Sequence, residues 1–206
     1  MNIHIGCAYT IGKSWKNYDA TPTAIIEKFP LLGKFLKINK KRFPKELIYG
    51  DITKKLLCAE NKANNIYCSH VLEHLTYEEM KSALSNIYLM LKTDGCFRLI
   101  VPDLENRVKT YLDNKDANKF IESIVMGKKN KDKHIFNKIR SFFGHTNHLW
   151  MYDFKSLSNE LEKIGFKNIK KCVYGDSQIE VFDEVEEKDR FFDDNGLPEI
   201  CIQCTK

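Results

Sequence analysis

The sequence predicts an open α/β sheet, mostly parallel, with an antiparallel strand at its C-terminal edge and helices on both faces. Three observations carry this expectation. Short apolar-leaning runs alternate along the chain with segments of helical periodicity, the order in which parallel sheets are wound. The run Phe97–Val101 is almost continuous in apolar residues, as strands buried on both faces are. Two last runs, 166–174 and 199–205, are joined by an acidic stretch and close the sheet as an antiparallel edge. With 206 residues and 43% hydrophobic content, the chain has enough apolar surface for a core. It carries no internal repeat or linker, so residues 1–206 read as one domain.

Asn2–Cys7, closed by Gly6, and Trp15–Asp19 read as the first two strands. Thr21–Leu36 follows with approximately helical spacing, broken by Pro30 and Gly33. Glu46–Asp51 and Asn65–Ser69 supply two further strands. Thr76 and Glu79 then form a capping box, in which each side chain satisfies an unpaired backbone N–H of the other. Met80, Ala83, Leu84, Ile87, Tyr88 and Leu91 give the helix that follows one apolar face, and Gly95 suits its stop. Pro102 ends the Phe97–Val101 strand. Asn106–Met126 reads as helical, and Gly127–Arg140 as a lysine-rich loop. Asp153 caps a last helix with Phe154, Leu157, Leu161 and Ile164 inward and Gly165 at its end.

Composition narrows the classes of function. No apolar run approaches the ~20 residues of a spanning helix, and the N-terminus lacks the layout of a secretory signal; a cytoplasmic protein without a membrane span is expected. Seven cysteines, an odd number, do not make a disulfide framework. Cys201 and Cys204 form a C-x-x-C, but on a strand an offset of three sends the side chains to opposite faces. Residues 176–206 hold ten acids against Lys188, Arg190 and Lys206, a balance of −7 that leaves +12 on the rest of a chain whose formal charge is +5. Basic clusters at Lys34–Lys45 and Lys128–Arg140 can steer anions. Neither is interleaved with base-stacking aromatics, so nucleic acid is not the expected partner.

In an open α/β sheet the ligand lies beyond the carboxyl ends of the strands. There the sequence places Gly6, Cys7 and Ala8 after the first strand, where small residues let backbone approach a ligand. Asp19 follows the second and can accept both hydroxyls of a ribose. Asp51 and Ile52 follow the third, an acceptor for an amino group beside an apolar edge for a purine. Ser69 and His70 follow the fourth, and Pro102 and Asp103 the fifth. There is neither G-x-G-x-x-G nor G-x-x-x-x-G-K-[ST], which points to a nucleoside-containing cofactor without phosphate.

Asn2-Ile-His-Ile-Gly-Cys-Ala8, Trp15-Lys-Asn-Tyr-Asp19, Tyr67-Cys-Ser-His-Val-Leu-Glu-His-Leu75, Leu91-Lys-Thr-Asp-Gly-Cys-Phe-Arg-Leu-Ile-Val-Pro-Asp-Leu104 and Phe143-Gly-His-Thr-Asn-His-Leu-Trp-Met-Tyr-Asp153 together resemble the class I S-adenosylmethionine-dependent methyltransferases, in particular short single-domain bacterial members. The resemblance covers nearly the whole chain. It implies a Rossmann-like fold and S-adenosylmethionine as cofactor, with Gly6, Cys7 and Ala8 at the methionine part, Asp19 at the ribose, Asp51 and Ile52 at the adenine, and Ser69 and His70 on the floor of the reaction site. Ala8 and Ser14 stand where the family has glycines, and Thr93-Asp94 where it has Pro-Gly. Alanine permits the close approach if its φ is negative.

Methyl transfer to a hydroxyl requires alignment of the acceptor and removal of its proton. Histidine suits the second task, and His145, with His148 as the other candidate, lies in a loop before the Asp153 helix. The expected acceptor is a small molecule or glycan, methylated at oxygen, and no metal ligand is expected. The sequence admits two other readings. One is a cofactor-binding module without turnover. The other is a zinc hydrolase, because His70-Val-Leu-Glu-His74 satisfies H-x-x-E-H; the strand before His70 and the helix restart at Thr76 argue against it. Trp150 and Tyr152 suit either a sugar face or core packing.

Overall fold

A computed structural model describes residues 1–21, 42–127 and 147–206, together with 23, 24 and 27. Seven strands, β1 (Asn2–Ile5), β2 (Trp15–Asp19), β3 (Ile48–Tyr49), β4 (Ala63–Ser69), β5 (Leu91–Val101), β6 (Lys167–Cys172) and β7 (Ile200–Thr205), form one sheet in the order β3-β2-β1-β4-β5-β7-β6. Pairings from β3 through β5 are parallel, and β7 is antiparallel to both β5 and β6. The expected fold class is the one adopted, with the antiparallel strand one place in from the edge.

The helix α1 (Tyr77–Met90) begins at the expected capping box: the Thr76 hydroxyl accepts the Glu79 N–H, and the Glu79 carboxylate accepts that of Thr76. Its end differs from expectation. The helix stops at Met90 and Leu91 is already extended, so Gly95 lies inside β5, where Asp94 takes φ +58°. Leu91 satisfies both patterns, since the same fully buried side chain completes the helical stripe and pairs with Ala63 as the first residue of the strand. The stretch read as one helix over 106–126 is two, α2 (Leu104–Asn114) and α3 (Ala117–Ser123). Lys115 breaks it in the left-handed region, and Asp116 caps the new helix by accepting the Lys119 N–H.

One face of the sheet carries α1 and α4 (Phe154–Ile164), the latter capped by Asp153 and ended by Gly165 as expected. Ile66, Leu84, Phe97, Leu161 and Ile202 meet in the core between them. On the opposite face Trp15, Tyr67, Ile100 and Cys201 pack against Phe182, Val185 and Phe191; among the described residues, two 3-10 turns (Glu180–Glu184 and Lys188–Phe191) provide that cover. Cys201 and Cys204 fall in the cores on opposite faces. The helix expected over Thr21–Leu36 and the loop Gly127–Arg140 lie almost wholly outside the described residues.

The acidic segment has a structural role that its composition did not reveal. Arg98 interrupts the apolar run of β5 and is fully buried. It is met by Glu186, by Asp176 at 2.9 Å and by the Val173 carbonyl at 2.7 Å. Arg107 of α2 is similarly clasped by both oxygens of buried Glu199. Buried guanidinium groups require such partners, and part of the surplus acid in 176–206 supplies them.

Candidate active site

At the carboxyl ends of β1, β2, β3 and β4 lies a cleft of about 510 Å³ lined by Gly6, Ala8, Asp19, Asp51, Ile52 and His70, with Thr21, Tyr49, Glu79 and Arg190 among the remaining walls. Its size is that of a small-molecule site. Six of the eight residues expected around a cofactor therefore converge. Cys7 and Ser69 do not line the cleft; they are buried behind its floor, on a small cavity shared with His4 and Tyr67.

The turn after β1 is shaped for close approach. Gly6 has φ +71°, and a Cβ there would lie 2.2 Å from Val71 Cγ2. Ala8 has φ +44°, so the condition of a negative φ for an alanine in the second glycine position is not met. The hydrogen bond its N–H donates to Asp19 Oδ2 at 2.9 Å holds it in the left-handed region. Asp19 is buried at the end of β2, and its other oxygen accepts the Thr21 N–H at 2.7 Å. Each carboxylate oxygen retains a second lone pair for a ribose hydroxyl. β1 reaches β2 without an intervening helix, so the turn offers no helix N-terminus to an anion. Asp51 accepts from Thr53 N and Oγ1 and pairs with Lys54 at 2.9 Å. Burial opposes its charge, but these partners outweigh burial and hold its carboxyl below the ordinary range.

His70 also has a left-handed backbone, φ +53°. Its ring is locked: Nδ1 meets Glu73 Oε1 at 3.0 Å and Nε2 meets the Arg190 carbonyl at 2.9 Å. Burial disfavours the imidazolium, yet the Glu73 carboxylate and the carbonyl more than compensate, and the pKa is raised. With both nitrogens engaged, His70 is a wall of the cleft. The geometry of a helical H-x-x-E-H is absent as well, because His70 precedes the single 3-10 turn Leu72–His74.

A second cavity of about 430 Å³ adjoins the first, and His70, His74 and Arg190 line both. Its other walls include Glu73, Glu122, His148, Asp189, Asp193 and Asp194. His148 is tied down by its backbone, whose N–H donates to Val125 O at 3.1 Å, while its buried Nδ1 has no hydrogen-bond partner. Burial lowers its pKa and favours neutral imidazole. His145 lies outside the described residues. Tyr152 is buried, with its hydroxyl donating to Leu72 O at 3.2 Å, and Trp150 is exposed against Tyr77; neither lines either of these two cavities. Sequence reasoning missed Glu73 and Arg190 as site residues. Glu73 was legible inside the H-x-x-E-H string, whereas Arg190 arrives from the acidic segment on a 3-10 turn with no sequence signal.

A sheet in this strand order, with an adenosyl-sized cleft bounded by acids at successive strand ends and no phosphate cradle, defines the class I S-adenosylmethionine-dependent methyltransferases. Residues 12–171 match the family described as "Methyltransferase domain", and the chain belongs to that family. No curated protein matches the sequence. Among solved structures, the chain is similar to a SAM-dependent methyltransferase from Archaeoglobus fulgidus (17% identity, TM-score 0.50, all of this chain and 85% of that one). It is also similar to a SAM-dependent methyltransferase from Methanosarcina mazei (12%, TM-score 0.55, 100% and 91%) and to the YcgJ protein of Bacillus subtilis (13%, TM-score 0.52, 100% and 91%). At these identities the likeness is one of fold. No helix of the described residues is long and apolar enough to cross a membrane.

Proposed function

We propose that the chain transfers the methyl group of S-adenosylmethionine to a hydroxyl of a small, polar, hydroxyl-rich acceptor such as a sugar. The observation that carries this reading is the pair of cavities meeting at His70, His74 and Arg190. The first suits the cofactor: the turn Gly6–Ala8 faces the methionine part, Asp19 the ribose, and Asp51 with Ile52 the adenine. The second, rich in carboxylates and Asn195, offers acceptors for the hydroxyl hydrogens of a sugar. The sulfonium methyl would lie where the cavities join, so that acceptor and sulfur align on opposite sides of one carbon.

The acceptor's proton leaves on the side of the second cavity, where Glu73, His74 and His148 form one wall. The oxygen lone pair forms the new C–O bond as the S–CH₃ bond breaks with its pair on sulfur, giving S-adenosylhomocysteine, a methyl ether and a proton. Incubation with methyl-labelled cofactor and two acceptor pools, sugars and primary amines, tests the reading. Label in the sugar pool, abolished by Asp19→Ala, supports it; label confined to the amines refutes oxygen as the acceptor atom.

A further inference from the structure

On the wall of the second cavity, Glu73, His74 and His148 each present one donor atom, and the three atoms lie within 4.8 Å of one another. The Glu73 side chain is fully buried, and while Oε1 is held by His70, Oε2 has no hydrogen-bond partner. A carboxylate oxygen left without a partner at zero exposure is destabilising unless a cation or proton meets it. The Nδ1 of His148 is likewise buried and unpartnered.

We propose that these three side chains bind one divalent first-row transition cation, of which zinc is the natural probe. Two imidazoles and a carboxylate are a donor set that such ions take, with positions left for water or substrate. Tetrahedral ligands at ~2.0–2.1 Å from zinc are roughly 3.4 Å apart, so the side chains need move by only about an ångström.

The surroundings are those of a ligand shell. The His74 Nδ1 faces the Asn147 carbonyl at 3.3 Å, which fixes the tautomer and leaves Nε2 as the lone-pair donor. The His148 Nδ1 is buried without a hydrogen-bond partner. His70 orients the carboxylate through Glu73 Oε1. The backbone closes the arrangement, because the Glu73 carbonyl accepts both the Leu149 and Trp150 N–H groups, at 2.7 and 3.2 Å, and so ties the segment bearing His148 to the turn bearing Glu73 and His74.

The site deepens the proposed function and, in its catalytic role, rests on it. A cation here faces the acceptor cavity and would take the acceptor oxygen as a ligand, lowering its pKa so that the proton passes to solvent before attack. The set of acceptors then narrows to hydroxyls that can coordinate.

The experiment is calorimetric titration of chelator-treated protein with zinc chloride, for wild type, His148→Ala and His74→Ala, with S-adenosylhomocysteine titrated into the same samples. One zinc per chain, weakened at least tenfold in both variants while S-adenosylhomocysteine affinity stays within about threefold in His148→Ala, whose side chain lines only the second cavity, is the expected result. Wild type that takes up no stoichiometric zinc, or variants that bind it as tightly as wild type, would overturn the proposal. His148 is only partly buried, so its variant tests the site even if one at Glu73 fails to fold. Zinc binding without S-adenosylhomocysteine binding would sink the methyltransfer reading and leave the metal site standing; the reverse would do the opposite.

Discussion

The carboxylate of Asp19 accepts the backbone N–H of Ala8 at 2.9 Å, across the mouth of the cleft from the end of β2 to the turn after β1. One side chain thus shapes the turn at the wall of the cleft while also presenting lone pairs to the cleft. Asp19→Ala removes both contributions. Cofactor affinity is expected to fall at least tenfold, with about 1–3 kcal/mol of stability lost from the unpaired N–H groups. Asp19→Asn keeps an acceptor and should lose less of each. Calorimetry with S-adenosylhomocysteine beside urea unfolding checks this, and unchanged affinity in Asp19→Ala removes Asp19 from the ribose.

Ala8 occupies the left-handed region with φ +44°, where a Cβ costs roughly 1–2 kcal/mol. Ala8→Gly is expected to raise stability by about 0.5–1 kcal/mol, the relief being partly offset by the greater freedom of glycine in the unfolded chain. A lower urea midpoint for the variant would show that the alanine is not strained.

Arg98 and Glu186 are both buried. Glu186→Gln leaves the guanidinium with one fewer charge partner and should cost about 3 kcal/mol. A double replacement, Arg98→Met with Glu186→Met, is expected to be less destabilised than the sum of the single changes. Additivity in the double-mutant cycle would refute the coupling.

His4 is buried beneath the sheet face carrying Trp15 and Tyr67. Burial lowers its pKa from 6.5 to about 4, against a partial opposing effect from Asn17. Between those values the unfolded chain binds a proton that the folded chain does not, so this group makes stability fall as the medium is acidified through that window, by up to about 1.4 kcal/mol per pH unit. Urea unfolding of wild type and His4→Asn at pH 7 and pH 5 should show a smaller acid loss in the variant. Equal losses would mean that His4 is not responsible.

The elements legible in the sequence were those whose signal is local. The capping box at Thr76 and Glu79, the Asp153 cap with Gly165, and acids at the ends of short strands all report on neighbours a few residues away. The cleft residues were legible for the same reason, since strand ends in a parallel sheet are brought together by topology. What escaped depended on distant partners. Arg98 in a buried strand makes sense only with Glu186 and Asp176 beside it. The cover of 3-10 turns on the second face has no period to read, and Arg190 reaches the cleft on one of them. The lone pair of His148 acquires a meaning only once Glu73 and His74 are seen across from it.

The placing of β7 between β5 and β6 imposes an order on biosynthesis. When β6 is made its seat in the sheet does not yet exist, because the strand that must separate it from β5 begins only at Ile200, with 27 residues between Cys172 and Ile200. Until that strand threads in, the nascent β5 presents a bare hydrogen-bonding rim to any neighbouring polypeptide.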